Sequence, residues 1–218
     1  MPESKQKKSR ERNFCLVILP AFIILLNSCI GLSLDIQMNR NGSGRLTMEY
    51  RISSMISGIG ALDTNASMPA IPVGRNDWER TIEKLPGVKL TSYASRETER
   101  DTIVNAVFDF PDIESLAALL DSTGEAVTIT AGSLNMIVLN KPDSRYDENL
   151  ISIMRTFFND YNFSLNFTAP SNSTLTVTDG AGNAPSQTTV TSGRRVSFTM
   201  SIMDITSLPD GLGLRINW

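Results

Sequence analysis

The feature of this sequence that most constrains its fold is a repeated alternation of apolar and polar residues. One alternating run covers 32–38 and a second covers 46–52, with Asn-Gly-Ser-Gly at 41–44 between them. Successive side chains of a β-strand point to opposite faces, so a period of two predicts strands with one apolar face. Because an Asn-Gly pair lies between the two runs, the sequence predicts a β-hairpin here.

Further alternating runs bring the predicted total to eight or nine strands. Beyond the first hairpin, the predicted strands are 88–95 with 99–110, 126–131 with 134–140, the runs 163–167, 175–177 and 196–202, and a last strand that ends at Trp218. Proline and small residues predict loops at 61–75 and 179–187. A chain of this kind is expected to form a sheet made mainly of antiparallel neighbours.

Three segments instead show the period of an amphipathic helix. Asn76 is the predicted N-cap of the first, and Asp112 is the predicted N-cap of the second. The third, at 147–159, begins an apolar stripe made of Leu150, Met154, Phe157, Phe158 and Tyr161. Together, the strands and helices predict an α+β domain in which about three helices pack on a mainly antiparallel sheet.

Residues 1–28 have the pattern of a signal peptide. Their charged start has a net charge of +3, and an apolar run of 13 residues follows from Phe14 to Leu26. A helix of that length is about 20 Å long at ~1.5 Å per residue, too short for a hydrocarbon core of ~30 Å. A positive start before such a short run is typical of a signal peptide. The alternatives are an uncleaved helical anchor from Phe14 to about Leu34 and an ordinary signal peptide without lipid attachment.

The end of this segment resembles the lipobox of bacterial lipoproteins. As in that family, a leucine, Leu26, lies three residues before Cys29, and the small residue Ser28 directly precedes it. Asn27 departs from the small or hydroxyl residue that is usual there. The resemblance implies that diacylglycerol is attached to the Cys29 sulfur, which makes Cys29 the lipid-attachment residue and 29–218 one extracytoplasmic domain. Several acyl chains, at ~0.8 kcal/mol per buried methylene, would hold it firmly at the membrane.

The composition after residue 28 excludes several functional classes. This part of the chain has 15 basic and 21 acidic side chains, a net charge of −6. That balance argues against a nucleic-acid partner, because phosphate binding needs clustered Lys and Arg. The chain contains no histidine, which excludes Ser-His-Asp and Cys-His nucleophiles and removes the commonest zinc ligand. Walker, GxGxxG and CxxC motifs do not occur, so we expect no cofactor and no enzymatic activity.

Three groups of side chains are candidates for a site, and each also has a structural explanation. One charged group is expected to be a solvated hairpin tip rather than a cation site; its members are Arg96, Glu97, Glu99, Arg100 and Asp101. Asp109 and Asp112 are a carboxylate pair, but Asp112 has the simpler role of an N-cap. The aromatic residues Phe157, Phe158 and Phe163 are candidate ligand-binding residues in an apolar cavity, although core packing is the default explanation for them.

The mature chain also resembles the soluble domain of LppM-like bacterial lipoproteins. The resemblance rests on a strand directly after Cys29, the turn at 41–44, and the closing run from Arg194 to Trp218. It implies an envelope domain that binds a lipid or glycolipid and is held at the membrane through its lipidated N-terminus. Ile30, in place of the aspartate that often retains lipoproteins at the inner membrane, favours the outer membrane. The alternative is a structural or assembly component that presents an edge strand or a loop to envelope proteins.

Overall fold

The alternating runs form one curled β-sheet. A computed structural model of the protein describes residues 30–54, 72, 74–121, 126–130, 132–138, 160–179, 191–208 and 211–218. Its nine strands are β1 (Ile30–Met38), β2 (Gly44–Ser53), β3 (Lys89–Glu97), β4 (Asp101–Phe110), β5 (Val127–Thr130), β6 (Ser133–Val138), β7 (Asn162–Asp179), β8 (Thr191–Ser201) and β9 (Leu212–Asn217). The described helices are α1 (Arg75–Ile82), α2 (Ile113–Leu120) and α3 (Ile202–Thr206).

The long strand β7 organises the sheet, because its two halves have different neighbours. Residues 163–168 run parallel to β1, whereas 174–179 pair in antiparallel fashion with β9. Strand β8 pairs with both halves, with a register irregularity between Thr168 and Ser173. Eight strands therefore follow the order β3-β4-β2-β1-β7-β9-β6-β5, and β8 lies beside β7 off this path. The path forms a half-barrel.

The inner face of the half-barrel is built from apolar rows that cross five strands. The registers align three such rows, which are Val104–Tyr50–Leu32–Phe163–Met200, Ala106–Met48–Leu34–Leu165–Phe198 and Phe108–Leu46–Ile36–Phe167–Val196. Nearly all of these side chains are buried. Burial of each large apolar side chain stabilises the fold by about 1.5–3 kcal/mol relative to exposure, so these rows form the centre of the core.

The first predicted hairpin is confirmed, with its turn where the Asn-Gly pair lies. Strands β1 and β2 pair along their full length, from Ile30 opposite Ile52 to Met38 opposite Gly44. In the turn, the Asn39 N–H donates to the Ser43 carbonyl oxygen at 2.8 Å. Gly42 has a φ of 84°, a conformation that favours glycine because it has no Cβ. The predicted pairs β3–β4 and β5–β6 are confirmed as well.

The predicted fold class is wrong: the molecule is not an α+β domain with three helices packed on a mainly antiparallel sheet. Strands are the main element, and the sheet is mixed and curled. The described helices have only 8, 8 and 5 residues. One-sided alternation fits a flat sheet covered by helices and also a sheet that curls around its own apolar face, so the pattern did not distinguish them. The helix predicted at 147–159 lies outside the described residues.

The two predicted helix caps have different outcomes. Asp112 caps α2 as predicted, since its carboxylate accepts a hydrogen bond from the Ser115 N–H at 2.7 Å. The prediction of Asn76 as the cap of α1 is wrong, because the helix begins at Arg75 and Gly74 is the N-cap. The Gly74 N–H donates to the Asp77 carboxylate at 3.1 Å. An acidic side chain in the first turn thus satisfies the N–H of the N-cap residue and lies near the positive end of the helix dipole.

Candidate functional site

Of the predicted ligand-binding residues, the structure places Phe163 on the inner face at the start of β7. Its side chain is 1% exposed, and its backbone lies opposite Leu32 of β1 and Met200 of β8. Phe157 and Phe158 lie outside the described residues, as does the predicted lipid-attachment residue Cys29. The position of Phe163 thus agrees with core packing, which was the default explanation for these aromatic residues.

Beside Phe163, the apolar inner face reaches a partly open margin on β8. Phe198 and Met200, here called the apolar lip, point to the same face as Phe163 and are half-buried. The ring centroids of Phe163 and Phe198 are 6.3 Å apart. Val196, farther along β8, is buried. The lip therefore offers apolar surface that continues directly into the core, which is the kind of surface that an apolar chain contacts favourably.

The lip lies near the end of the sheet where β1 starts. Ile30 opens β1, and its partner Ile52 lies near the end of β2. Asn162, the first residue of β7, is paired with Ser201, the last residue of β8. We call this the N-terminal end of the sheet. Since Ile30 directly follows Cys29 in the chain, no linker separates the predicted lipid-attachment residue from this end.

A polar cluster lies at the same end of the sheet. The Asp101 carboxylate pairs with the Arg51 guanidinium at 2.7 Å and accepts a hydrogen bond from the Tyr161 hydroxyl. The Arg51 guanidinium carbon lies 5.5 Å from the centre of the Tyr161 ring, a distance at which a cation is attracted to the ring face. Asp101 is only 4% exposed, whereas the side chain of Arg51 is 41% exposed. We call Arg51, Asp101 and Tyr161 the polar cluster.

The electrostatics of the polar cluster favour a structural role. Burial, together with the hydrogen bond to Asp101, raises the pKa of Tyr161 to about 12. The phenol is therefore protonated at neutral pH and acts as a hydrogen-bond donor, not as a general base. The buried carboxylate of Asp101 has both a cation and a donor as partners, which is how buried charges are normally stabilised. Across the described ranges, no group of three or more acidic or cysteine side chains could hold a metal ion.

The other two candidate groups are not brought together as chemical sites. Arg96, Glu97, Glu99 and Arg100 are exposed at the β3–β4 tip, as predicted, but Asp101 is not and was wrongly included among the solvated residues. Asp109 has a partly exposed side chain and pairs with Arg45 at 2.8 Å, while Asp112 caps α2. The polar cluster had no local signal in the sequence, because Arg51, Asp101 and Tyr161 are about 50 or more residues apart and meet only through strand register.

Comparisons with protein-family models, with curated proteins and with solved structures gave no match to this chain. The resemblances to the lipobox and to LppM-like lipoproteins therefore stay predictions. None of the helices in the described ranges has the length and apolar character needed to span a membrane.

Proposed function

We propose that the protein is a membrane-anchored lipoprotein of the bacterial envelope, held through Cys29 on the non-cytoplasmic side, and that its half-barrel binds a lipid or another apolar ligand without catalysing a reaction. The observation that carries the proposal is the apolar lip. It is half-exposed, it continues into buried apolar rows, and it lies near the end of the sheet that directly follows Cys29. The outer membrane is the favoured site, on the grounds of Ile30.

The position of β1 supports the link between anchor and ligand. A strand that begins one residue after an acylated cysteine keeps the N-terminal end of the sheet close to the lipid head groups. The row that contains Phe163 and Met200 is the one closest to that end. An acyl chain leaving the membrane would therefore meet the lip after a short path. Contact with the lip would be favourable because it keeps the apolar surface of the chain out of water.

Binding of a fluorescent fatty acid to the full-length protein tests the ligand part of the proposal. We expect saturable binding of cis-parinaric acid, with emission that rises as the probe enters apolar surroundings. Phe198→Ala removes half of the lip and should weaken binding roughly tenfold, which corresponds to about 1.4 kcal/mol of lost apolar contact. Ser197→Ala changes the neighbouring exposed residue of the same strand and should leave binding unchanged.

Two results would reject the ligand proposal. One is the absence of saturable binding by the unchanged protein. The other is an equal affinity of Phe198→Ala, Ser197→Ala and the unchanged protein, because the lip would then take no part in binding.

A further inference from the structure

The sheet has three edge strands in the part of the chain that the structure describes, and they differ in how they are protected. An edge strand exposes unpaired backbone groups, and natural proteins block such edges with charges, bulges or short strands. Strand β3 carries Lys89, Arg96 and Glu97 and has a register shift between Leu90 and Ser92. Strand β5 has only four residues. These two edges are therefore poorly suited to pairing with another strand.

Strand β8 lacks these protective features over its second half. From Val196 to Ser201 it contains no charge and no proline, and its register with β7 is regular. Its arginines and the register shift lie in the first half, at 193–195. Among the described residues, β8 pairs with β7 alone. The half-exposed lip on the same strand adds apolar side chains next to this edge.

The segment from Val196 to Ser201 is suited to antiparallel pairing with the same segment of a second copy. We propose that two copies of the protein dimerise by antiparallel pairing of β8 with β8, centred on Phe198. In that register Phe198 lies opposite Phe198, Val196 opposite Met200, and Ser197 opposite Thr199. Apolar residues on the inner face therefore meet apolar residues, and outer polar residues meet polar ones, which are the favourable cross-strand combinations.

The charges of β8 are compatible with this pairing. Arg195 of each copy lies opposite the uncharged Ser201 of the other copy. The two Arg195 side chains are therefore at opposite ends of the paired segment. Arg195 also keeps its ion pair with Asp35 of its own chain, at 3.3 Å on the outer face. Like charges directly opposite one another would destabilise a strand pair, and this register avoids them. The contact is the same patch on both copies, as a two-fold dimer requires.

This pairing fixes the geometry of the dimer and does not depend on acylation of Cys29. The two-fold axis is perpendicular to the strands, so the N-terminal ends of the two sheets point in opposite directions along β8. For both copies to be held at one membrane through Cys29, as proposed above, the strands of the dimer lie along the membrane surface and not perpendicular to it. The apolar inner faces of the two copies join into one surface across the lip. Because the contact lies at β8, a charge added at the inner face of β8 would face apolar side chains of the second copy and should disrupt the dimer. A charge added to β3, which takes no part in the contact, should not.

Sedimentation equilibrium of the full-length protein in density-matched detergent tests the proposal. We expect particles with two chains for the unchanged protein. Met200→Lys puts a charge opposite Val196 of the second copy and should weaken the dimer at least tenfold. Leu90→Lys is the matched control, a half-buried apolar position on edge strand β3, and should remain dimeric. A monomeric unchanged protein, or an equal loss of the dimer in both folded variants, would overturn the proposal.

A disulfide experiment keeps the proposal testable if Met200→Lys fails to fold. Ser197 and Thr199 are exposed, so each tolerates replacement by cysteine. The proposed register puts residue 197 of one copy opposite residue 199 of the other. A mixture of full-length Ser197→Cys and Thr199→Cys should therefore yield the 197–199 disulfide peptide several times faster than either variant alone yields a disulfide with itself. The absence of this peptide from the mixture would overturn the proposed pairing.

Discussion

At the scale of single residues, the buried environment of Tyr161 can be tested directly through its pKa. Its phenol donates to Asp101 and lies under the Arg51 guanidinium. Burial is the main reason that the pKa of Tyr161 rises from 10.0 to about 12. A pKa that is higher in the folded state means that the neutral phenol contributes to stability below pH 10. This contribution is lost as the pH rises through about 12.

We therefore expect that the near-ultraviolet absorbance titration of the folded protein contains a tyrosine component with a midpoint near 12, and that Tyr161→Phe removes it. The difference between the two titrations isolates Tyr161 from Tyr50, whose pKa is also raised by burial. A difference component with a midpoint near 10, the ordinary value for tyrosine, would contradict the described environment of Tyr161.

Residue roles could be predicted from the sequence where their partners are local. The cap of α2 needs only Asp112 and an N–H three residues later, and it was predicted correctly. Asp101 depends on Arg51, 50 residues away, and on the register that brings the two together. Its sequence neighbours are exposed charges, so a local view assigned it to the solvated tip.

At the scale of strands, the polar cluster adds side-chain contacts between elements at the N-terminal end of the sheet. Arg51 belongs to β2, Asp101 opens β4, and Tyr161 directly precedes β7. The Tyr161 carbonyl oxygen also accepts a hydrogen bond from the Ile202 N–H at the start of α3, at 2.9 Å. The cluster therefore ties together four elements at the N-terminal end of the sheet.

Asp101→Asn should lower the free energy of unfolding by about 1–3 kcal/mol, because it removes a charged acceptor from one buried hydrogen bond, to Tyr161, and one part-buried hydrogen bond, to Arg51. The 41% exposure of Arg51 lets water screen part of the loss. Urea denaturation measures the effect. Glu99→Gln is the matched control, since it makes the same type of change at the exposed tip two residues away, and it should cost less than 0.5 kcal/mol, roughly the limit for surface substitutions. Equal effects of the two changes would show that Asp101 has no such role.

Strand positions followed from the sequence more reliably than helices did. Alternation over 44–53 or 101–110 persists for about ten residues and gave the correct elements. The segment at 202 was predicted as strand because Val196, Phe198, Met200 and Ile202 alternate, yet α3 begins there. Ser201 caps this helix by accepting a hydrogen bond from the Met203 N–H, and one such local contact outweighs the end of an alternating run.

At the scale of the whole molecule, the curl of the sheet and the parallel contact between β1 and β7 could not be predicted. Neighbouring strands in the sequence gave correct hairpins, because their pairing is set by short turns. The β1–β7 pair joins Leu32 to Phe163 across more than half of the chain, and no turn fixes its register. The same apolar rows would serve a flat, helix-covered sheet, so the half-barrel follows only from the strand order.

Strand order also relates the predicted lipid-attachment residue, Cys29, to the apolar lip. Because β1 pairs with β7, and β7 with β8, the residue that follows Cys29 and the lip lie at the same end of one sheet. The proposed function depends most on the identity of Cys29 as the lipid-attachment residue, since acylation there would put the lip next to the membrane.

Metabolic labelling with a radioactive fatty acid, in a bacterial cell that expresses the full-length chain, tests this central claim most directly. We predict that the unchanged protein incorporates the label, that Cys29→Ala does not, and that Cys15→Ala, which changes the only other cysteine, incorporates it as the unchanged protein does. Label retained by Cys29→Ala, or absent from the unchanged protein, would contradict anchoring through Cys29.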